Sequence, residues 1–145
     1  MVDAARGGDA SLAREGASVV VLRRGAVLMV ERARPPFKGL WSFPGGRTQP
    51  DEDAAIAARR ELLEETGLDV DGIVSLGSFN PGPVVTPFRL TVFAARAGIG
   101  QPIPGDDAER AEFVALERVL TRPSTPGAAG WIARAMLALS DPPLL

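Results

Sequence analysis

The sequence predicts an α+β fold in which a mixed β-sheet is sandwiched between helices, an α/β/α arrangement. Three observations support this class. Short valine-rich runs alternate with turn residues, one long segment is rich in helix-forming residues, and an amphipathic segment lies near the C-terminus. The predicted order is strand, strand, loop, helix, strand, strand, loop, strand, helix. The 145 residues are enough for one domain with its own hydrophobic core.

The first 43 residues predict strands on either side of an Arg-Arg-Gly turn. Prolines and a Lys-Gly pair then mark a loop before a short extended piece. The predicted strands are 17–22, 26–31 and 41–43. Residues 1–16 contain no apolar signal core, so we expect a flexible N-terminal leader over 1–16 and a single domain over 17–145.

A helix is predicted from Asp51 to Gly67, because this segment is rich in Ala, Glu, Leu and Arg and ends at a glycine. After it the sequence predicts further strands, a helical turn and a closing amphipathic helix. The strands lie within 71–79, 88–97 and 112–115, the turn near 116–120 and the helix within 127–140.

The composition excludes several function classes. The chain has no cysteine and no histidine, which removes disulfides, thiolate and imidazole metal ligands, and Ser-His or Cys-His catalysis. A net charge of -2 gives no general attraction to nucleic acid, and no stretch approaches the roughly 20 apolar residues of a membrane span. We therefore expect a cytoplasmic protein with no membrane partner and no extended nucleic-acid partner. Its acid–base or metal chemistry must rest on carboxylates, Lys38 or water.

Three glutamates, Glu61, Glu64 and Glu65, share one side of the predicted helix. At about 100° per residue they fall within an arc of roughly 100°. A solvated acidic face is the simplest explanation for such a cluster. However, like charges at i and i+4 repel by roughly 0.2–0.5 kcal/mol, and the helix dipole disfavours anions near the C-terminal end. A bound cation is the second explanation, and clustered carboxylate oxygens suit Mg²⁺ or Mn²⁺.

The same segment resembles the Nudix box, the signature of a family of hydrolases. All nine signature positions match over 23 residues. These positions are Gly46, Glu52, Arg60, Glu61, Leu62, Glu64, Glu65, Gly67 and Leu68. The resemblance extends upstream through the sequence GLWSFPGG and fits the predicted strands on both sides, so it covers 17–140.

The resemblance implies a Nudix-type α/β/α fold and the hydrolysis of a nucleoside diphosphate linked to another group. Glu61, Glu64 and Glu65 would bind Mg²⁺, with Mn²⁺ as a substitute, helped by the backbone carbonyl of Gly45. The glycine pair would fold tightly over the helix as a turn. The cation would offset the charge of the pyrophosphate, which carboxylates alone could not face.

Other residues would support these glutamates. The resemblance implies that Arg60 and Glu52 hold them in register through an ion pair, although an ordinary surface pair is the alternative for Arg60. A general base in this family is either a box glutamate or an acidic residue from a later loop. Glu112 is the candidate from that loop, with Asp107 and Glu109 as rivals, and a merely solvated acidic loop is the alternative.

Substrate contacts are predicted around the glycine pair. Arg47, Lys38 and Arg34 carry charges that suit phosphate. Trp41 could stack on a base. The opposing interpretation is that surface arginines are often only solubilising and that aromatic residues in strands usually belong to the core.

The segment after the box bears on the substrate. Family members that hydrolyse ADP-ribose often carry a proline about fifteen residues after the box, and Pro83 stands fifteen residues after Leu68. The absence of tyrosine counts against dinucleoside polyphosphates. ADP-ribose or a related nucleotide sugar is therefore favoured over cleavage of a (d)NTP to its monophosphate and pyrophosphate. A non-catalytic nucleotide-binding Nudix domain is a further alternative. Family members are often dimers, so a homodimer is a further possibility for this chain.

Overall fold

The computed structural model describes residues 14–35, 37–81, 88–105 and 107–140, and these residues confirm the α+β prediction. They contain one mixed sheet of seven strands and three helices. The strands are β1 (Glu15–Arg23), β2 (Ala26–Arg32), β3 (Trp41–Ser42), β4 (Gly45–Arg47), β5 (Val74–Phe79), β6 (Arg89–Arg96) and β7 (Ala108–Ala115). The helices are α1 (Ala54–Thr66), α2 (Leu116–Val119) and α3 (Ala128–Leu139).

Strand β1 lies at the centre of the sheet. It runs parallel to β6 from Glu15 to Leu22, and the sheet order is β3-β2-β1-β6-β5. Only the last two residues of β1 pair with β2, whereas its first part pairs antiparallel with β4. β7 pairs antiparallel with β2 from Ala26 to Arg32. β4, which pairs with the first part of β1, packs against α1.

The sheet is buried on both faces. Alternate side chains of β1 point to opposite sides and contribute to a hydrophobic layer on each face. Val19 packs in one layer with Leu62 of α1, and Val20 packs in the other with Ile132 and Ala135 of α3. These five side chains and that of Val21 are at least nine-tenths buried. The helices therefore sandwich the sheet, as the sequence predicts. No helix in the described ranges has the length and apolar character needed to cross a bilayer.

Several boundaries differ from the sequence-based expectation. The glycine pair is not a turn but part of β4, because the backbone of Gly45 approaches β1 so closely that a Cβ would lie 2.5 Å from the Ala17 carbonyl oxygen. β7 begins at Ala108 rather than at residue 112, and β1 begins at Glu15, two residues before the predicted domain start. Residues 1–13 of the predicted leader and Pro83 lie outside the described residues.

Candidate active site

Local interactions fix both ends of α1. The carboxylate of Asp53 caps the N-terminus by accepting a hydrogen bond from the Ile56 amide at 2.9 Å. Gly67 adopts a left-handed φ of 74°, and its amide donates to the Leu63 carbonyl at 2.9 Å. The helix therefore starts three residues after the predicted Asp51 and stops at the predicted glycine. These caps determine which turn carries the three glutamates.

The loop between β6 and β7 closes over the C-terminal turn of α1. The amide of Ile103 donates to the Thr66 carbonyl at 2.8 Å, and the amide of Gly105 donates to the Glu65 carbonyl at 2.9 Å. These bonds satisfy carbonyl groups that a helix end leaves without partners. A Cβ on Gly105 would lie 1.9 Å from the Glu64 carbonyl oxygen, so only glycine allows this approach.

The loop completes a cavity of about 290 Å³ above the end of the helix. Its lining consists of Glu61, Glu64, Glu65, Gly105 and Asp107. The structure therefore brings the three predicted glutamates to one cavity and adds Asp107, one of the rival acidic residues. Three carboxylates from one helix and a fourth from a loop form a strongly anionic site.

The predicted ion pair between Arg60 and Glu52 is present beside this cavity. Arg60 Nε lies 2.5 Å from Glu52 Oε2, and Nη2 lies 3.0 Å from Oε1, so the guanidinium binds this carboxylate through two nitrogens. The Arg60 Nη1 is 3.2 Å from oxygens of both Glu61 and Glu64. Hydrogen bonding to Arg60 lowers the pKa of Glu52, and the same bond raises the pKa of Arg60. Arg60 thus orients two glutamates while Glu52 holds Arg60.

Glu65 and Glu61 are the least solvated carboxylates of the cluster. Burial raises the pKa of Glu65 to about 7, although the Gly45 amide, which donates to its Oε1 at 3.0 Å, acts in the opposite direction. Burial also raises the pKa of Glu61, against the lowering effect of Arg60. The backbone approaches Glu61 so closely that a Cβ on Gly46 would lie 2.2 Å from Oε2. Desolvation of two neighbouring anions makes the site receptive to a cation.

The donor chemistry fits a hard divalent cation, although the side chains have other partners in this conformation. Among the described residues, no group of three carboxylates stands close enough together to hold a metal ion. Glu61 and Glu64 accept hydrogen bonds from Arg60, and Glu65 accepts one from the Gly45 amide. Rotation of these long side chains into the cavity would present only oxygen donors, the ligands that Mg²⁺ and Mn²⁺ prefer.

The predicted phosphate ligands differ in how near they lie to the cavity. The Arg47 carbonyl accepts a hydrogen bond from Arg60 at 3.0 Å, so Arg47 is adjacent, with an exposed side chain. Arg34 Nε lies 3.1 Å from Asp107 Oδ1 at the cavity rim. Lys38 is exposed in the turn between β2 and β3. Contacts of these three residues with substrate stay predictions.

The geometry argues against two of the predicted site residues. Glu112 stands opposite Met29 in the β2–β7 ladder, so its side chain is on the face covered by α3, away from α1. There it accepts a hydrogen bond from Arg122 at 2.8 Å. Trp41 is only 3% exposed, and the Arg122 guanidinium carbon lies 4.4 Å from its ring centroid. Glu112 is therefore poorly placed as general base, and Trp41 offers little surface to a base.

Two residues of the site were missed from the sequence. Gly105 lies in a turn-rich loop whose motif content does not distinguish one glycine from the others. Arg32 ends β2 close enough to Glu65 that its charge acts to lower the pKa of that carboxylate. The strand alternation could have indicated Arg32, because it shares the α1 face with Leu28.

Comparison with known proteins agrees with the geometry of the site. A family model described as the NUDIX domain matches residues 12–135. An ADP-ribose pyrophosphatase of Methanocaldococcus jannaschii is 32% identical over 106 residues, covering 69% of this chain and 60% of that protein. An oxidized purine nucleoside triphosphate hydrolase of Danio rerio is 43% identical over 60 residues, covering 41% of this chain and 38% of that protein. The chain thus covers less than two thirds of the length of either curated relative.

The fold is also similar to solved structures. The NUDIX domain of Shewanella oneidensis NrtR, in complex with ADP ribose, superposes with a TM-score of 0.76 at 23% identity. The match covers 87% of this chain and 88% of that chain. At this level of identity the likeness concerns the fold alone.

Proposed function

The chain belongs to the NUDIX family, and on this premise we propose that it hydrolyses a pyrophosphate bond in a nucleoside diphosphate derivative. The observation that supports the proposal is the anionic cavity at the end of α1, where Glu61, Glu64 and Glu65 meet Asp107. Such a cavity would repel a pyrophosphate unless a divalent cation lay between them. Mg²⁺ is the proposed cofactor, with Mn²⁺ as a substitute.

The residues divide into holding, orienting and proton-accepting roles. Glu61, Glu64 and Glu65 would hold the cation, which when bound supplies charge neutralisation for the pyrophosphate. Arg60, anchored by Glu52, binds Glu61 and Glu64 and would fix the position of their carboxylates at the edge of the cavity.

The proton of the attacking water must pass to a carboxylate because the chain has no histidine. Asp107 is the proposed acceptor in place of Glu112. Its side chain lines the cavity and is not committed to the box glutamates, whereas Glu112 points to the opposite face of the sheet. An Asp107→Asn variant should therefore have a lower kcat, and a Glu112→Gln variant should have the kcat of wild type.

ADP-ribose or a related nucleotide sugar is the proposed substrate class. The ADP-ribose pyrophosphatase relative aligns with 69% of this chain, and so with much more than the box. The second candidate is cleavage of a (d)NTP to monophosphate and pyrophosphate. It is favoured by the higher identity, 43%, of the nucleoside triphosphate hydrolase relative over a shorter segment.

The test is a hydrolysis panel with product identification by mass spectrometry. The protein is incubated with Mg²⁺ and ADP-ribose, sugar nucleotides or each (d)NTP. AMP plus ribose phosphate identifies the first class, and a monophosphate plus pyrophosphate identifies the second. Glu64→Gln and Glu65→Gln should lower turnover by orders of magnitude, whereas Glu117→Gln, the same change at an exposed position of α2, should not. Turnover that survives in both box variants would contradict the proposal.

A further inference from the structure

Two loops meet at the rim of the anionic cavity. The Arg34 side chain follows β2, Asp107 precedes β7, and their charged atoms are 3.1 Å apart. The backbone beneath them is fixed, because the Ala33 amide donates to the Asp107 carbonyl at 3.2 Å and Arg32 pairs with Ala108 in the sheet. The two side chains, in contrast, are 69% and 66% exposed. Because the backbone is paired and the side chains are exposed, the ion pair can separate without distorting the fold.

Asp107 already acts electrostatically on the carboxylates of the cavity. Its charge contributes to the raised pKa of both Glu61 and Glu65. The Arg60 guanidinium, which acts to lower the pKa of Glu61, binds Glu52 and the glutamates of its own helix. Arg34 is the cation paired with Asp107.

We propose that Arg34 is a positioning residue that competes with the divalent cation for Asp107. With Arg34 paired to it, Asp107 is held at the rim. A cation in the cavity would attract Asp107 inwards and release Arg34. This proposal rests on the proposed function for the existence of the cation, but it concerns how the chain controls cation affinity.

The release of Arg34 has a consequence for the substrate. The freed guanidinium lies at the mouth of the same cavity and can pair with a pyrophosphate oxygen. Cation and nucleotide binding then reinforce one another, since each favours the open pair. Arg34→Ala should accordingly raise the KM for the nucleotide more than it lowers kcat, whereas Asp107→Asn should mainly lower kcat.

The size of the effect follows from the exposure of the pair. Exposed ion pairs are worth up to about 1 kcal/mol. Removing Arg34 should therefore tighten cation binding by roughly two- to five-fold, which corresponds to about 0.4–1 kcal/mol at 1.4 kcal/mol per tenfold change. The tightening should disappear when Asp107 is neutral, because Arg34 then has no carboxylate to hold back.

The deciding experiment is a double-mutant cycle on Mn²⁺ binding without nucleotide, with free Mn²⁺ measured by electron paramagnetic resonance. The proteins are wild type, Arg34→Ala, Asp107→Asn and the double variant. We expect Arg34→Ala to bind Mn²⁺ more tightly, Asp107→Asn more weakly, and the double variant like Asp107→Asn. Arg34→Lys should restore the wild-type affinity. All positions are exposed, and thermal melts in EDTA check that each variant folds.

A matched control separates this pairing from a general change of charge. Arg24→Ala removes another exposed arginine, in the β1–β2 turn at the other end of β2 from the cavity. Its Mn²⁺ affinity should equal that of wild type. Three results would overturn the proposal: no tightening in Arg34→Ala, tightening that persists with Asp107→Asn, or an equal tightening in Arg24→Ala. Failure of nucleotide hydrolysis with an intact Mn²⁺ cycle would instead overturn the proposed function alone.

Discussion

The carboxylate of Glu65 should destabilise the protein when no cation is present. Burial raises its pKa from 4.5 to about 7, so the folded state favours the protonated form more than the unfolded state does. The stabilisation from this protonation is fully present below pH 4.5 and is lost as the pH rises through about 7. At 1.36 kcal/mol per pKa unit, ionised Glu65 costs about 3 kcal/mol of the free energy of unfolding at pH 8.

Glu65→Gln removes this cost while keeping the shape of the side chain. The glutamine oxygen can still accept the hydrogen bond that the Gly45 amide donates to Glu65 at 3.0 Å. We therefore expect the Tm in EDTA to rise by roughly 6–12 °C at pH 8 and by only about 2–4 °C at pH 5. Added Mg²⁺ should narrow this difference in Tm at pH 8, because a bound cation would stabilise wild type and the variant would lack one of the proposed ligands.

The assay is thermal unfolding followed by circular dichroism at pH 5 and pH 8, with EDTA or Mg²⁺. Glu64→Gln is the matched control, because it makes the same chemical change in the same helix at a side chain that is 57% exposed. Its Tm in EDTA should stay within about 2 °C of wild type. A Glu65→Gln variant that is no more stable than wild type at pH 8, or equally stabilised at both pH values, would refute the reasoning.

Three further predictions test the surroundings of the cavity. Gly105→Ala should lower the free energy of unfolding by about 2–3 kcal/mol, because its Cβ would meet the helix backbone at 1.9 Å. Gly98→Ala, with nothing within 4 Å, should leave it unchanged or slightly raised in urea unfolding. Arg60→Lys should lower the free energy of unfolding by about 1–2 kcal/mol and should lower kcat, because lysine cannot bind both oxygens of Glu52. A variant as stable as wild type in urea unfolding would count against this ion pair. The affinity for Mg²⁺, measured by calorimetry, should weaken from pH 8 to pH 6, and binding should release a proton, because Glu65 must ionise to bind the cation. An affinity that does not depend on pH would argue against Glu65 as a ligand.

Much of the fold could be predicted because its signals are local. Helix α1 shows strong helix formers, a glycine end signal and a carboxylate spacing that depends only on helical geometry. The valine-rich runs likewise predict β1 and β2, because a strand buried on both faces is apolar along its length. Boundaries were less accurate, since capping by Asp53 and the start of β7 depend on hydrogen bonds that the pattern does not show.

What the sequence by itself determined is the chemistry of the site: three glutamates on one turn of a helix, Arg60 and Glu52 spaced to support them, and no histidine or cysteine to compete. These features depend on residue type and on distances along one helix. The tertiary structure alone decided which other residues reach the cavity. Sheet register turned Glu112 to the far face, packing buried Trp41, and a loop docked through Gly105 brought Asp107 and its partner Arg34 to the rim. The physical reason is that strand pairing and loop closure join residues far apart in the chain, and no local pattern records that choice.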